Sequence, residues 1–264
     1  MLTLPPPVEA IIEWWLPQVR DLLGDDLLSV VLYGSVTLGD YQAGWSDIDV
    51  CVVLSDSIGE DAGARLGHIH DRMQQRYLEH KHGGWLSGQV VESNYVPQSL
   101  AANSLEDKAC YIAGGTTRKW QRGDPLLPFD RYVLANFGQS CFGSDVHFEE
   151  PGVELLCNQA ETDLHSLHSW KNQSAIWLTG MLHWFARSIV FWRDGTMLSK
   201  TAALLHEIER GSIYTEPLEL ALTIRREGST TAVNYMDASR NHYSRFADSF
   251  FTELQQVIVA SRPG

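Results

Sequence analysis

The chain has 264 residues, of which 44% are hydrophobic and 20% are charged, a composition that excludes disorder as the main state. This length allows one large domain or two ordinary ones. The formal net charge of −13 argues against non-specific binding to the phosphate backbone of nucleic acids. Besides simple solubility, it favours a cationic small-molecule partner or metal-dependent chemistry with carboxylate ligands.

The N-terminus does not show the basic segment followed by an apolar run that is typical of a signal peptide. No apolar run reaches the roughly 18 residues that a membrane span needs. We therefore expect a cytoplasmic protein that has neither a membrane nor a nucleic-acid partner.

The first half of the chain mixes helix and strand patterns. Apolar residues at helical spacing predict a first helix over Pro5–Asp21. The β-branched run Leu27–Tyr33 predicts a buried strand, and the alternation in Asp47–Leu54 predicts a second one. Residues 60–80 have helical spacing, and Gln89–Val96 predicts a third strand.

From about residue 150 the strand patterns disappear and long helical patterns follow. We expect an α+β fold in which residues 1–150 form a mixed sheet with helices and residues 151–264 form an all-helical bundle. The helices predicted for the second domain cover roughly residues 153–170, 174–193, 199–210, 216–227 and 239–260.

The strand that begins at Asp47 carries the residues best suited to chemistry. Asp47 and Asp49 are two positions apart, so both carboxylates project from one face of the strand. Two such carboxylates repel each other unless a cation lies between them. Oxygen ligands of this kind suit Mg²⁺, which commonly uses one or two carboxylates together with substrate phosphates.

Three further residues add to this pattern. Gly34 follows the first predicted strand and allows the backbone to approach a ligand closely. Ser35 adds a hydroxyl group, and the backbone N–H groups after it can bind phosphate oxygens. Glu92 lies in the third predicted strand and can face the same pocket as the two aspartates, on the assumption that its strand pairs beside theirs.

An apolar strand, a Gly-Ser pair, a turn-rich segment and an Asp-x-Asp strand together resemble the nucleotidyltransferase superfamily. The stretches SDIDVCVVLSD and VESNYVPQSL are similar to the aminoglycoside adenylyltransferases of the streptomycin/spectinomycin type. Asn136–Gly143 resembles that family's G-x-x-L-x-G stretch, where the chain leaves the first domain. Ala186–Ala203 resembles its stretch with an Ala-Arg, a Gly and a Ser/Pro-Lys.

The resemblance implies an N-terminal nucleotidyltransferase domain. It implies an enzyme that transfers AMP from ATP to a hydroxyl group of an aminoglycoside or aminocyclitol antibiotic and so gives resistance. In such an enzyme Asp47 and Asp49 would hold Mg²⁺, and Glu92 would be the general base that takes the proton from the acceptor hydroxyl.

The remaining residues that the resemblance singles out would bind the nucleotide. Gly34 and Ser35 would hold the triphosphate. Arg187 and Lys200, from the helical domain, would reach the ATP phosphates. The sequence has no recognisable oligomerisation signal, so we expect a monomer.

The acceptor stays open, because the drug-binding region of the resembled family has acidic residues that this chain lacks. Trp170 and Trp177 are present, but no acidic residue lies between Asp163 and Asp194. The acceptor could be spectinomycin, a different aminocyclitol or another small molecule.

An enzyme that modifies a protein or tRNA, as in toxin–antitoxin pairs, is an alternative, although such minimal proteins are much shorter. A non-catalytic binding protein is disfavoured by the intact motif residues.

Overall fold

The chain divides into two units, Met1–Pro151 and Gly152–Gly264, which are described separately. The structure is a computed structural model. It describes residues 3–56, 58–77, 90–98, 110–112, 121–122, 126–167, 175–228 and 234–262.

Within these ranges, the N-terminal unit contains a mixed sheet and its covering helices. The helices are α1 (Pro6–Leu23), α2 (Glu60–Arg76) and α3 (Pro128–Phe137), and the strands are β1 (Leu27–Tyr33), β2 (Ile48–Leu54), β3 (Val91–Pro97), β4 (Cys110–Ile112), β5 (Gln121–Arg122) and β6 (Gln139–Gly143). The strand order is β5-β4-β3-β2-β1-β6. The pair β2–β3 is parallel, and the other neighbouring strands are antiparallel.

One face of the sheet is buried under α1 and α2. Alternate residues of β1 and β2, such as Val30 and Val50, pack with Trp15 of α1 and Leu66 of α2, and all four are fully buried. Burying each such side chain contributes about 1.5–3 kcal/mol. Because side chains alternate across a strand, the residues between these apolar ones lie on the other face of the sheet.

The described part of the C-terminal unit is helical. The helices are α4 (Val153–Leu167), α5 (Ala175–Asp194), α6 (Lys200–Glu209), α7 (Thr215–Glu227) and α8 (Met236–Ala260). Helix α5 packs against α6, α7 and α8, and α4 packs against α8. Phe185 of α5 stacks on Phe250 of α8 with ring centroids 4.9 Å apart. Aromatic packing of this kind forms the core between the helices.

The predicted fold class, a mixed sheet with helices followed by helices alone, is confirmed. Helix α3 and the strands β4, β5 and β6 were not predicted; Asn136–Gly143, which covers the end of α3 and all of β6, was interpreted only as the exit from the first domain. Strand β6 pairs antiparallel with β1 at the edge of the sheet, and the Oγ of Ser29 donates to the carbonyl of Phe142 at 3.0 Å. Its side chains are half-buried or exposed without regular alternation, so no strand pattern marks the segment.

Among the helices of the described ranges, none combines the length and the apolar character needed to cross a membrane.

A buried histidine joins α2 to the sheet. His70 is 2% exposed, and its Nε2 lies 3.1 Å from the hydroxyl of Tyr95 on β3. The ring also packs edge-on against Trp15. Burial lowers the pKa of His70 to about 3, since the charged form would lose its hydration.

This buried histidine makes stability depend on pH. Unfolded His70 takes up a proton near pH 6.5 and folded His70 does not, so the free energy of unfolding should fall as the pH drops from about 6.5 towards 3. Between pH 7 and pH 5, His70 should lower the free energy of unfolding by about 2 kcal/mol. Urea unfolding at both pH values should therefore show that His70→Gln loses less free energy of unfolding between pH 7 and pH 5 than the wild type does. His68→Gln, at an exposed position of the same helix, serves as the control; equal pH dependence of all three proteins would contradict the prediction.

Candidate active site

The carboxylates of Asp47, Asp49 and Glu92 converge in the N-terminal unit, and we call them the carboxylate triad. One ligand oxygen from each residue lies within 4.8 Å of the other two, and all three residues are half-buried. Strand β3 runs parallel to β2, and Glu92 pairs directly opposite Asp49. This pairing, which the sequence analysis had assumed, is what brings Glu92 to the two aspartates.

Strand geometry explains why the triad faces away from the helices. Ile48 and Val50 are fully buried in the core formed with α1 and α2. Asp49 lies between them and therefore projects from the opposite face of the sheet. Asp47 immediately precedes β2, and its carbonyl accepts a hydrogen bond of 3.4 Å from the Oγ of Ser35. The apolar face of β2 thus packs in the core, while Asp49 projects from the opposite face.

Gly34 lies directly against the triad. Its φ of +66° is in the left-handed region that favours glycine, and a Cβ built at this position would overlap the Oδ2 of Asp49. The tight turn continues with hydrogen bonds from the backbone N–H of Leu38 to the carbonyl of Gly34 (3.0 Å) and from that of Asp40 to the carbonyl of Ser35 (2.9 Å). Gly34 and Ser35 therefore form a backbone turn beside the carboxylates.

A pair of glycine variants tests this close approach. Gly39 has nearly the same φ, +68°, but no atom lies within 4 Å of a Cβ built there. Gly34→Ala and Gly39→Ala should both lose about 1–2 kcal/mol from backbone strain. Only Gly34→Ala should also displace Asp49 and lose Mg²⁺-dependent ATP binding in calorimetry. Equal ATP affinity of the two variants would show that Gly34 is not needed for the geometry of the triad.

The rest of the loop between β1 and β2 packs beside Asp47. The backbone N–H of Ser46 donates to the carbonyl of Gln42 at 2.8 Å, and the Oγ of Ser46 accepts from the N–H of Gln42 at 3.1 Å. Burial, and then the nearby negative charge of Asp47, raise the pKa of Tyr41 to about 12. The hydroxyl of Tyr41 is therefore close enough to Asp47 for the negative charge of that carboxylate to act on it.

Polar residues that were not predicted lie around the triad on the same face of the sheet. Tyr33 pairs opposite Asp49, is buried, and its hydroxyl accepts a hydrogen bond of 3.0 Å from the Nδ2 of Asn94. Burial raises the pKa of Tyr33 well above its usual value, and the charges of Asp130 and Asp49 raise it further. These residues end or interrupt apolar strands or lie on α3, so no spacing pattern marks them.

The triad has the donor chemistry of a magnesium site. Three carboxylates within 4.8 Å repel one another, and a divalent cation between them would offset that repulsion. Mg²⁺ prefers oxygen ligands at about 2.1 Å and usually keeps waters or substrate phosphates in its remaining positions. The three carboxylates offer such oxygens within 4.8 Å of one another, and none of the three residues is fully buried, so the residues fit the ion.

The two cations that the sequence analysis selected lie in the helical unit. Arg187 is on α5 and Lys200 is the first residue of α6, and both are half-buried. Buried His183 lies one turn before Arg187. Burial lowers the pKa of His183 well below its usual value, and the positive charges of Arg225, Lys200 and Arg187 lower it further. Arg225, which was not predicted, therefore lies, like Arg187 and Lys200, near enough to His183 to lower its pKa.

The segment expected to contact the acceptor is only partly within the described ranges. Trp170 lies outside the described residues. Trp177 is half-buried in the first turns of α5.

The N-terminal unit matches a known domain. Residues 12–92 match the sequence model of the nucleotidyltransferase domain family. That range includes every member of the carboxylate triad as well as Gly34 and Ser35. No curated protein matches the chain significantly.

The fold is also similar to that of a solved enzyme, the spectinomycin adenyltransferase AAD(9) from Enterococcus faecialis, crystallised with ATP and spectinomycin. The TM-score is 0.63 and the sequence identity is 15%, and the match covers 89% of this chain and 99% of that one. This likeness establishes the fold. The domain match itself supports a transferase enzyme with a nucleotidyltransferase domain.

Proposed function

We propose that this chain, which carries a nucleotidyltransferase domain, transfers AMP from ATP to a hydroxyl group of an aminoglycoside or aminocyclitol antibiotic, with Mg²⁺ as the metal. The observation that carries the proposal is the convergence of Asp47, Asp49 and Glu92 within 4.8 Å inside the matched domain. The ATP and spectinomycin in the AAD(9) crystals support ATP as the donor and make spectinomycin the first acceptor to test. Resistance to that antibiotic would be the biological consequence.

In the proposed reaction Glu92 is the general base. Its carboxylate accepts the proton of the acceptor hydroxyl while the hydroxyl oxygen forms a bond to the α-phosphorus of ATP. The bond from that phosphorus to the pyrophosphate oxygen breaks, and pyrophosphate leaves. A positioned base typically contributes 10²–10⁴-fold to the rate. Its place opposite Asp49 on a neighbouring strand supports this role, because the strand fixes where the carboxylate projects.

Asp47 and Asp49 would hold Mg²⁺ in the proposed site. When bound there, the ion would supply positive charge to the phosphate oxygens, whose negative charge otherwise repels the incoming oxygen. The aspartates are suited to this because Asp49 lies in β2, Asp47 directly precedes it, and both residues are half-buried.

The remaining predicted residues would bind the triphosphate. Gly34 and Ser35 offer a turn whose backbone can approach the phosphates without a side chain in between. Arg187 and Lys200 would offset the charge of the phosphates, including that of the leaving pyrophosphate. The positive charges of both residues lower the pKa of His183, which supports their presence in one electropositive region of the helical unit.

An acceptor panel tests this function. The full-length protein is incubated with ATP, Mg²⁺ and, separately, spectinomycin, streptomycin and other aminoglycosides, and pyrophosphate release and product mass are measured. A product that carries AMP on an aminocyclitol or aminoglycoside is the expected result. AMP on protein or tRNA would instead support a regulatory nucleotidyltransferase. ATP binding without turnover on any acceptor would contradict the proposed activity and favour a binding protein.

A further inference from the structure

Two consecutive arginines in the last turn of α7 differ sharply in their surroundings. Arg225 is 3% exposed, whereas Arg226 is exposed to solvent. Removing a guanidinium group from water costs free energy unless specific contacts compensate for it. The burial of Arg225 therefore indicates a specific role for its side chain.

One such contact links Arg225 to the start of the preceding helix, α6. Its Nε–H donates a hydrogen bond of 2.9 Å to the Oγ1 of Thr201, the residue directly after Lys200. Ser199 is the N-cap of the same turn, and its Oγ accepts a hydrogen bond of 3.2 Å from the backbone N–H of Ala202. The first turn of α6 is thus fixed both by its own cap and by Arg225.

Helix packing brings Arg187 to the same region. The Nε2 of His183 on α5 lies 3.4 Å from the carbonyl oxygen of Ala221 on α7. Arg187 is one turn beyond His183, and Arg225 is one turn beyond Ala221, so the two arginines project from the helix faces that meet at this contact. The lowered pKa of His183, to which all three cations contribute, is consistent with this arrangement.

We infer that Arg225 is a positioning residue: by binding Thr201, it holds the first turn of α6 so that Lys200 is placed to bind the phosphates of ATP. The inference rests on the proposed function, because it requires Lys200 to bind ATP.

Variants of Thr201 test the inference without removing a charge. Thr201→Val keeps the shape of the side chain but removes the oxygen that Arg225 binds, whereas Thr201→Ser retains an oxygen. We expect Thr201→Val to weaken the binding of Mg²⁺-ATP by about tenfold in calorimetry, and Thr201→Ser to restore most of the affinity. The KM for the acceptor should change little. Thermal unfolding of each variant checks that the helical unit stays folded.

Comparing the loss of ATP affinity in single and double variants shows whether Arg225 acts through Lys200. If Arg225 acts through Lys200, then Thr201→Val should add little to the loss already caused by Lys200→Ala. Arg225→Gln should weaken ATP binding, and Arg226→Gln is the matched control at the exposed neighbouring position. Wild-type affinity of Thr201→Val, or full additivity with Lys200→Ala, would overturn the inference while leaving the proposed function intact. A wild-type protein that does not bind ATP at all would overturn both.

Discussion

Glu92→Gln is expected to lower the rate of AMP transfer by about 10²–10⁴-fold while ATP and Mg²⁺ still bind. Glutamine has nearly the same shape and keeps a side-chain oxygen, but its amide cannot accept the proton of the acceptor hydroxyl. The substitution also removes one negative charge from a site with three carboxylates within 4.8 Å, so the affinity for ATP should be equal or higher. Steady-state rates of pyrophosphate release, together with calorimetry of ATP binding, measure the two effects separately.

The control for this variant is Glu13→Gln, which removes the same charge at an exposed position of α1. It should keep both turnover and ATP binding. Full turnover of Glu92→Gln would show that Glu92 is not the base. A parallel loss of Mg²⁺-dependent ATP binding and turnover would instead assign Glu92 to the metal site.

Asp47→Asn is expected to lose Mg²⁺-dependent ATP binding. Replacing a carboxylate ligand by an amide removes the charge that attracts the cation, and even partners of metal ligands cost about 10- to 100-fold in affinity when they are mutated. We therefore expect at least that loss in a calorimetric titration of ATP with Mg²⁺, and no turnover.

Asp145→Asn, in an exposed loop of the same unit, provides the matched control and should bind ATP as the wild type does. Both variants should unfold at temperatures close to that of the wild type, because Asp47 is half-buried and outside the apolar core. Undiminished Mg²⁺-dependent ATP binding by Asp47→Asn would remove Asp47 from the metal site.

The strands that carry the site were predictable because their signals are local. Leu27–Tyr33 was placed with the bounds that β1 has, and the alternation after Asp47 identified the buried side of β2 correctly. Once that alternation is known, the common face of Asp47 and Asp49 follows from strand geometry. Glu92 differs, since its proximity depends on a parallel pairing between strands more than 35 residues apart, which no local pattern specifies.

The residues that were missed depend on packing. Tyr33 and Asn94 look like ordinary members of buried strands, and their contact joins positions 61 residues apart in the chain. Arg225 and Arg226 have the same chemistry at adjacent positions, and only the packing of α7 buries the first and exposes the second. The edge strand β6 lacks alternation because its side chains are not clearly divided between core and solvent.

The central claim, nucleotidyl transfer at the carboxylate triad, is tested most directly by following the two ends of the ATP triphosphate. The protein is incubated with Mg²⁺, spectinomycin and ATP labelled either at the α-phosphorus or at the γ-phosphorus. We predict that the α-label appears on the acceptor and the γ-label in pyrophosphate, and that both appear about 10²–10⁴-fold more slowly with Glu92→Gln. Transfer of the γ-label to the acceptor, or undiminished transfer of the α-label by Glu92→Gln, would contradict the claim.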